Sequence, residues 1–191
     1  RLDNSEFLNQ NVRIVANDLG GAWYFWENGI FPNVDIVGSN ISTNGIVNEY
    51  FITQQSGYQF APIAEKDNSN GAFIIFADQD DGSISLRTQH LNNEVLIFAD
   101  NGILVKKGLD GDVKFVASDN NSNGIILSWE DTRSERNAYA SWITPLGDML
   151  DYNGKHTTFY DIDIKEETNP IPQVLLTDDS FYSLSYSTET G

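Results

Sequence analysis

One pattern recurs about every fifty residues along this chain of 191 residues, and it limits the fold more than any other feature. Each unit has a short apolar stretch, a polar turn ending at or near Gly, and an alternating strand that ends on an aromatic residue. The closing aromatic residues lie 50, 53 and 57 positions apart and are Trp26, Phe76, Trp129 and Tyr186. Repeats of this length are typical of one supersecondary unit that is stacked or arranged in a ring.

The second half of each unit adds a strand, a polar turn and another strand, as in residues 86–96. Each unit therefore has about four short strands joined by Asn, Asp and Gly turns. No segment keeps a helical period for more than two turns. The sequence predicts an all-β fold, and specifically a β-propeller of four-stranded blades of about 50–57 residues each, because stacked sheets bury the apolar faces that a lone sheet would expose.

The fourth unit is too short to complete a blade. We therefore expect a section of a larger propeller, cut from a longer polypeptide, rather than a closed ring of four blades. The predicted units are the end of a preceding blade (1–9), three blades (10–57, 58–110 and 111–168) and the start of a further blade (169–191).

Composition excludes several classes of partner. Acidic residues outnumber basic ones 28 to 11, for a formal net charge of −17. Such a surface repels phosphate backbones and anionic membranes, so we expect no nucleic-acid partner. The chain has no cysteine, which excludes disulfides and thiolate chemistry. No apolar run approaches the roughly twenty residues of a membrane helix, so we expect no membrane insertion.

The third unit carries a recognisable motif. Residues 129–134 read Trp-Glu-Asp-Thr-Arg-Ser, and Tyr139-Ala140 and a polar turn with Gly147 follow. This order resembles a repeat of large secreted bacterial β-propeller proteins, which are frequent in Bacteroidota and are often type IX secretion substrates. The other units keep only parts of it, namely Gly20-Gly21-Ala22 and Trp26-Glu27 in the first and Gly71-Ala72 and Asp78 in the second. The resemblance implies a secreted or cell-surface location, associated with the outer membrane.

One turn matches a calcium-loop template at its first, third, fifth, sixth and twelfth positions, which are Asp119, Asn121, Asn123, Gly124 and Glu130. The context differs from that template, because residues 125–129 alternate as a strand and no helices flank them. The corresponding turn of the second unit also reads as one residue shorter. We therefore interpret the segment as a strand connection and predict no metal site and no cofactor.

Carboxylate pairs are the alternative sign of chemistry, since glycoside hydrolysis uses two of them. The candidates are Asp78 with Asp80 and Asp81, Glu130 with Asp131, and Asp161 with Asp163. Asp78 and Asp131 occupy the same repeat position, which favours a structural role, and Arg133 is expected to make a structural ion pair or cap carbonyl groups. We predict that the chain is not an enzyme and has no catalytic residues. A carbohydrate-active propeller with inward-facing carboxylates remains the alternative.

The two histidines do not indicate a catalytic group. His90 aligns with Arg1 and Trp142 across the repeats and is predicted to be a replaceable strand residue, and His156 is expected to be exposed in a linker. Exposed aromatic residues could stack on sugars, and the candidates are Trp23, Tyr24, Trp142, Tyr152 and Tyr160, although core packing is the usual role of strand aromatics.

The most divergent segment is the insert of residues 157–172, whose carboxylates are Asp161, Asp163, Glu166 and Glu167. The sequence predicts a non-catalytic binding or scaffold module that meets a protein or glycan at the cell surface, with its ligand-binding residues unknown. A component of the type IX secretion machinery is a further alternative.

Overall fold

The computed structural model describes residues 8–45, 47–80, 82–99, 101–109, 113–119, 124–131, 137–150, 170–176 and 182–188. These residues form fifteen strands and no helix. The all-β fold that the sequence predicts is therefore confirmed.

The first unit is an antiparallel meander. Its strands are β1 (Leu8–Ala16), β2 (Ala22–Ile30), β3 (Asn33–Ile41) and β4 (Val47–Phe51), and each pairs with the next along the chain. In β2, buried and partly buried side chains alternate at first, as expected for a strand in a layered sheet.

The second unit repeats this arrangement. Its strands are β5 (Tyr58–Lys66), β6 (Gly71–Asp80), β7 (Ser83–Asn92), β8 (Val95–Leu96) and β9 (Ile103–Leu109). Both β8 and β9 pair antiparallel with β7, so the meander is β5-β6-β7-β9 with β8 as a short extra hairpin strand. A single parallel bridge from Val34 to Tyr58 joins this meander to the first.

The third unit is a separate four-stranded sheet made of β10 (Phe115–Asp119), β11 (Ile125–Asp131), β12 (Asn137–Ile143) and β13 (Met149–Leu150). A two-stranded hairpin of β14 (Pro170–Leu176) and β15 (Tyr182–Thr188) follows. The first strands lie side by side, since β1 contacts β5, β5 contacts β10, and β10 contacts β14.

The turns between the first two strands have the same length in all three units. The ladders pair Ala16 with Ala22, Lys66 with Ala72, and Asp119 with Ile125. The expectation that the second unit has a shorter turn is therefore wrong, because Asp119 is the last residue of a strand and not the first residue of the turn.

An Asx turn closes this hairpin in the first two units. The side-chain oxygen Oδ1 of Asn17 accepts hydrogen bonds from the amides of Leu19 (3.1 Å) and Gly21 (2.7 Å). The corresponding residue of the second unit, Asp67, accepts them from Ser69 (2.8 Å) and Gly71 (2.7 Å). The local preference of Asn and Asp for such turns fixes the start of each second strand.

Two apolar clusters lie between successive units. The first packs Trp23, Phe25, Ile36 and Ile52 against Ala72, Ile74, Phe76 and Leu91. The second packs Phe73, Ile75, Leu86, Phe98, Val105 and Leu109 against Ile125, Leu127, Trp129 and Ile143. Strand β6 supplies both clusters from its two faces, which explains its nearly continuous apolar sequence.

The closing aromatic residues Trp26, Phe76 and Trp129 are buried, and the last two belong to these clusters. The side chain of the fourth, Tyr186, lies outside the described residues.

Candidate functional site

The predicted carboxylate pairs do not form an open acid–base site in the described residues. Asp78 is buried, its Oδ2 accepts a hydrogen bond from Nε of Arg87 at 2.7 Å, and its Oδ1 accepts one from Nε2 of Gln59 at 3.0 Å. Asp80 is exposed at the end of β6. The remaining aspartates of these pairs lie outside the residues whose side chains are described; they are Asp81, Asp131, Asp161 and Asp163.

The ends of the calcium-loop template lie far apart. Asp119 pairs with Ile125 at the turn end of the β10–β11 hairpin, whereas Glu130 lies five residues further along β11. At about 3.4 Å per residue this places them roughly 17 Å apart along the strand, too far to bind one cation. Asn121 and Asn123 lie outside the described residues. Within the described part of the chain, no group of three or more His, Asp or Glu residues is placed to hold a metal ion.

His90 lies on strand β7, as predicted for a strand residue, and it is a buried link between two sheets, which the alignment of the repeats does not indicate. Its side chain is 3% exposed and stacks on Phe73, with ring centroids 4.2 Å apart and planes 6° apart. Its Nε2 lies 2.9 Å from Oδ2 of Asp67, and its Nδ1 lies 2.9 Å from the carbonyl oxygen of Pro145 in the third unit.

The position of His90 is shared with the first unit through the repeat, whereas an imidazole at this position is found in the second unit and not in the first. The residue fifty positions earlier is Asn40, whose Oδ1 accepts a hydrogen bond from Nδ2 of Asn17 at 3.1 Å. Both units therefore join the Asx-turn residue to a polar side chain of the third strand. His156 lies outside the described residues.

The described aromatic residues among the predicted sugar-binding candidates are buried or half-buried. Trp23 is fully buried and contacts the edge of Tyr50, with ring centroids 5.7 Å apart. Tyr24 and Trp142 are half-buried. Tyr152, Tyr160 and the carboxylates Glu166 and Glu167 of the insert lie outside the described residues. None of the described candidates presents a fully exposed ring.

A different aromatic group lies at one end of the first two units, with one exposed ring and two half-buried ones. Tyr58 and Phe60 lie on one face of β5 and are stacked, with ring centroids 4.6 Å apart and planes 12° apart. Phe31, in the turn between β2 and β3, meets Tyr58 edge-on at 5.5 Å and is 71% exposed. We call Phe31, Tyr58 and Phe60 the aromatic ledge.

The ledge lies beside a buried carboxylate. Glu27 is fully buried, and it accepts hydrogen bonds from Nε2 of Gln10 (2.8 Å), Nδ2 of Asn11 (2.6 Å) and the amide of Ala61 (2.7 Å). Burial raises the pKa of Tyr58, and the charge of Glu27 raises it further. Tyr58 therefore keeps its hydroxyl proton at neutral pH, and the ledge presents uncharged rings.

The strand pattern missed this group for an identifiable reason. Phe31 lies in a turn beside Pro32 and outside the alternation, so it belongs to no predicted core face. An aromatic residue within turn punctuation is the sequence signal that could have indicated it.

A carboxylate pair connects the second and third units. Glu65 on β5 accepts a backbone hydrogen bond from Asp119 on β10. Burial raises the pKa of Glu65 to about 7, the charge of Asp119 adds to this, and the backbone hydrogen bond and Lys66 oppose it. Since the folded pKa lies above the ordinary value of 4.5, the stability from neutral Glu65 is fully present below about pH 4.5 and is lost as the pH rises through about 7.

We expect Glu65→Gln to stabilise the fold at pH 8 by about 1–2 kcal/mol, after allowance for partial solvent screening of the carboxylate. The glutamine keeps an acceptor for the amide of Asp119 and carries no charge at any pH. Urea unfolding at pH 5 and pH 8 should show an advantage that grows with pH, whereas the exposed control Glu49→Gln should show none. An advantage of equal size at both pH values would contradict this account.

The search for relatives gives no family to which the chain can be assigned. Comparisons with protein-family models, with curated proteins and with solved structures each found no significant match. In the described residues, no helical segment has the length and apolarity needed to cross a membrane. The functional argument therefore rests on the geometry of this chain.

Proposed function

We propose that this chain is a β-propeller segment that binds a glycan without catalysis, through the aromatic ledge. Three successive four-stranded meanders support the propeller arrangement, because their first strands lie side by side and their faces pack on one another. Blades stacked around an axis have this order of contacts. The ledge then lies at one end of the first two blades, where loops meet solvent.

The observation that carries the binding function is the uncharged ring surface of the ledge, where Phe31 is exposed and Tyr58 and Phe60 are half-buried. The apolar face of a sugar ring can stack on such rings, and nearby amides can bond its hydroxyl groups. Gln79 pairs with Tyr58 across the β5–β6 ladder, so its side chain lies on the same face. Asn33 is exposed two residues after Phe31. Apolar rings beside amide groups fit a neutral sugar better than a charged ligand.

The non-catalytic role is supported by the burial and the hydrogen bonds of Asp78, the best candidate for a catalytic carboxylate. Asp78 is held by Arg87 and Gln59 and is buried, so it is not free to act as an acid or a base. The Trp-Glu-Asp-Thr-Arg-Ser resemblance supports a secreted or cell-surface bacterial protein. A partner protein at that surface is the alternative ligand.

We expect Phe31→Ala to weaken glycan binding roughly tenfold, because an exposed aromatic anchor is removed. The free energy of unfolding should change by no more than about 0.5 kcal/mol, since the ring is mostly in solvent. A glycan array identifies the ligand, and titration calorimetry with wild type and variant measures the loss.

Leu19→Ala is the matched control, because Leu19 is a turn residue with 70% of its side chain exposed and lies outside the ledge. It should bind as the wild type does. Equal affinity of Phe31→Ala and wild type would rule out the ledge as the glycan site. Turnover of the bound glycan by the purified chain would rule out the non-catalytic role.

A further inference from the structure

The junction between the first two units is closed by a carboxylate of the chain itself. Strand β1 bulges at Asn11 and strand β5 bulges at Ala61, both with positive φ, at 54° and 53°. Glu27 fills the space beside these bulges and accepts a hydrogen bond from each of Asn11 and Ala61. The carboxylate thus joins the first strand of one unit to the first strand of the next.

The next junction lacks this carboxylate. Fifty residues after Glu27 the chain has Ala77, and fifty residues after Gln10 and Asn11 it has Phe60 and Ala61. The third unit restores a glutamate at the same place, Glu130. The substitution is therefore particular to the junction between the second and third units.

A cavity of about 260 Å³ lies at that junction, between β1, β5 and the segment that leads into β10. Its lining includes Arg13 and Lys114 together with the apolar residues Ala61, Ile63, Val113 and Phe115. Ala61 and Lys114 are the repeat equivalents of Asn11 and Ala61, which bind Glu27 at the first junction. The cavity therefore opens beside the positions that hold the carboxylate one unit earlier.

The two cations of this cavity are notable in a chain with only 11 basic residues against 28 acidic ones. Within the described residues, Arg13 donates to the carbonyl oxygen of Val12 at 3.1 Å and has no carboxylate partner. Nζ of Lys114 lies 3.9 Å from Oε2 of Glu130, and its side chain is 44% exposed. Both side chains can therefore turn toward an anion in the cavity.

We propose that this cavity binds a small organic carboxylate with an apolar body, which takes the place at the second junction that Glu27 takes at the first. Arg13 and Lys114 bind the carboxylate, since charge-assisted hydrogen bonds to carboxylate are the strongest that these side chains make. Ile63, Val113 and Phe115 cover the apolar body. The apolar walls offer few hydrogen-bond partners for hydroxyl groups. The cavity therefore fits a ligand different from the sugar proposed for the ledge.

The test compares butyrate with butyramide, which has the same shape and no charge. Amide NMR shifts of the full chain are followed during titration at constant ionic strength in a carboxylate-free buffer. Butyrate should saturate with a Kd on the order of 1 mM and shift the amides of residues 113–116. Butyramide and chloride should neither saturate nor shift these amides. Equal shifts with butyramide, or shifts spread evenly over the surface, would overturn the proposal.

Arg13→Gln should weaken butyrate binding roughly tenfold or more, because it removes a charged donor from an exposed position. The control Lys107→Gln removes an equal charge from exposed β9 and should leave the affinity unchanged. Ala77→Glu supplies a carboxylate to the same junction and should abolish binding in the folded variant. Wild-type affinity in Arg13→Gln would overturn the proposal, whatever the behaviour of Ala77→Glu.

Discussion

Gly71→Ala is expected to lower the free energy of unfolding by about 3–5 kcal/mol, although its backbone conformation is open to any residue. A Cβ at this position would collide with the carbonyl oxygen of Leu91 and would lie 2.5 Å from Oδ2 of Asp67 and 2.8 Å from Cα of Asn92. Two of these contacts are backbone atoms of the adjacent strand β7, which cannot move without breaking the β6–β7 ladder. The buried Asp67 would be displaced as well.

Gly82→Ala provides the contrast. Gly82 has a φ of +81° and no atom within 4 Å of an added Cβ, so its substitution costs only the backbone strain, about 1 kcal/mol. Urea unfolding of both variants separates two effects, the steric contact of an added Cβ with strand β7 at Gly71 and the backbone strain of a positive φ at Gly82. Similar losses in the two variants would contradict the close approach at Gly71.

The strand architecture could be predicted because it depends on local and periodic information. The apolar run of residues 72–77 and the Asx-Gly turns before each second strand are visible in the sequence, and the structure places strands there. The length of the third turn is ambiguous in the sequence, since two adjacent polar residues, Asp119 and Asn120, could each begin the turn. Only the strand pairing of Asp119 with Ile125 decides between them.

The contacts between units could not be predicted, because they depend on which side chains meet when sheets stack. The repeat aligns His90 with strand positions of other units, whereas its partners are a turn residue, Asp67, and a carbonyl of the next sheet, Pro145. Glu27 belongs to the Trp-Glu part of the repeat motif, yet its role becomes clear only when the amide of Ala61 is seen to reach it.

The same reasoning shows what the repeat leaves to each unit. A repeat fixes the place of a side chain, and substitutions at that place change the chemistry of the junction. One repeat position is occupied by Glu27 in the first unit, where it closes the junction. The same position is Ala77 in the second unit, beside the open cavity, and Glu130 in the third, which is a buried acid. Differences between units are therefore better guides to function than the residues that all units share.

The second large effect is expected at the buried Asp67. Burial alone would raise the pKa of this carboxyl, but hydrogen bonds from His90, Ser69, Asn92 and Gly71 outweigh it and hold the pKa well below its usual range. Asp67 is therefore ionised. Nδ1 of His90 lies 2.9 Å from the carbonyl oxygen of Pro145 and its Nε2 lies 2.9 Å from Oδ2 of Asp67, so the ring bridges the buried carboxylate and the third unit.

Asp67→Asn should cost about 3–5 kcal/mol at pH 7, because the introduced amide nitrogen meets the donors of His90 and Asn92 in place of an acceptor. Since the folded pKa is depressed, the contribution of the carboxylate is present above its unfolded pKa, near 3.8, and is lost as the pH falls further toward the folded value. The deficit of the variant should therefore shrink between pH 7 and pH 3 in urea unfolding. Asp80→Asn, at an exposed position, should have little effect at either pH. A deficit at pH 7 below about 1 kcal/mol, or one that is unchanged at pH 3, would show that the carboxylate does not hold the second and third units together through His90.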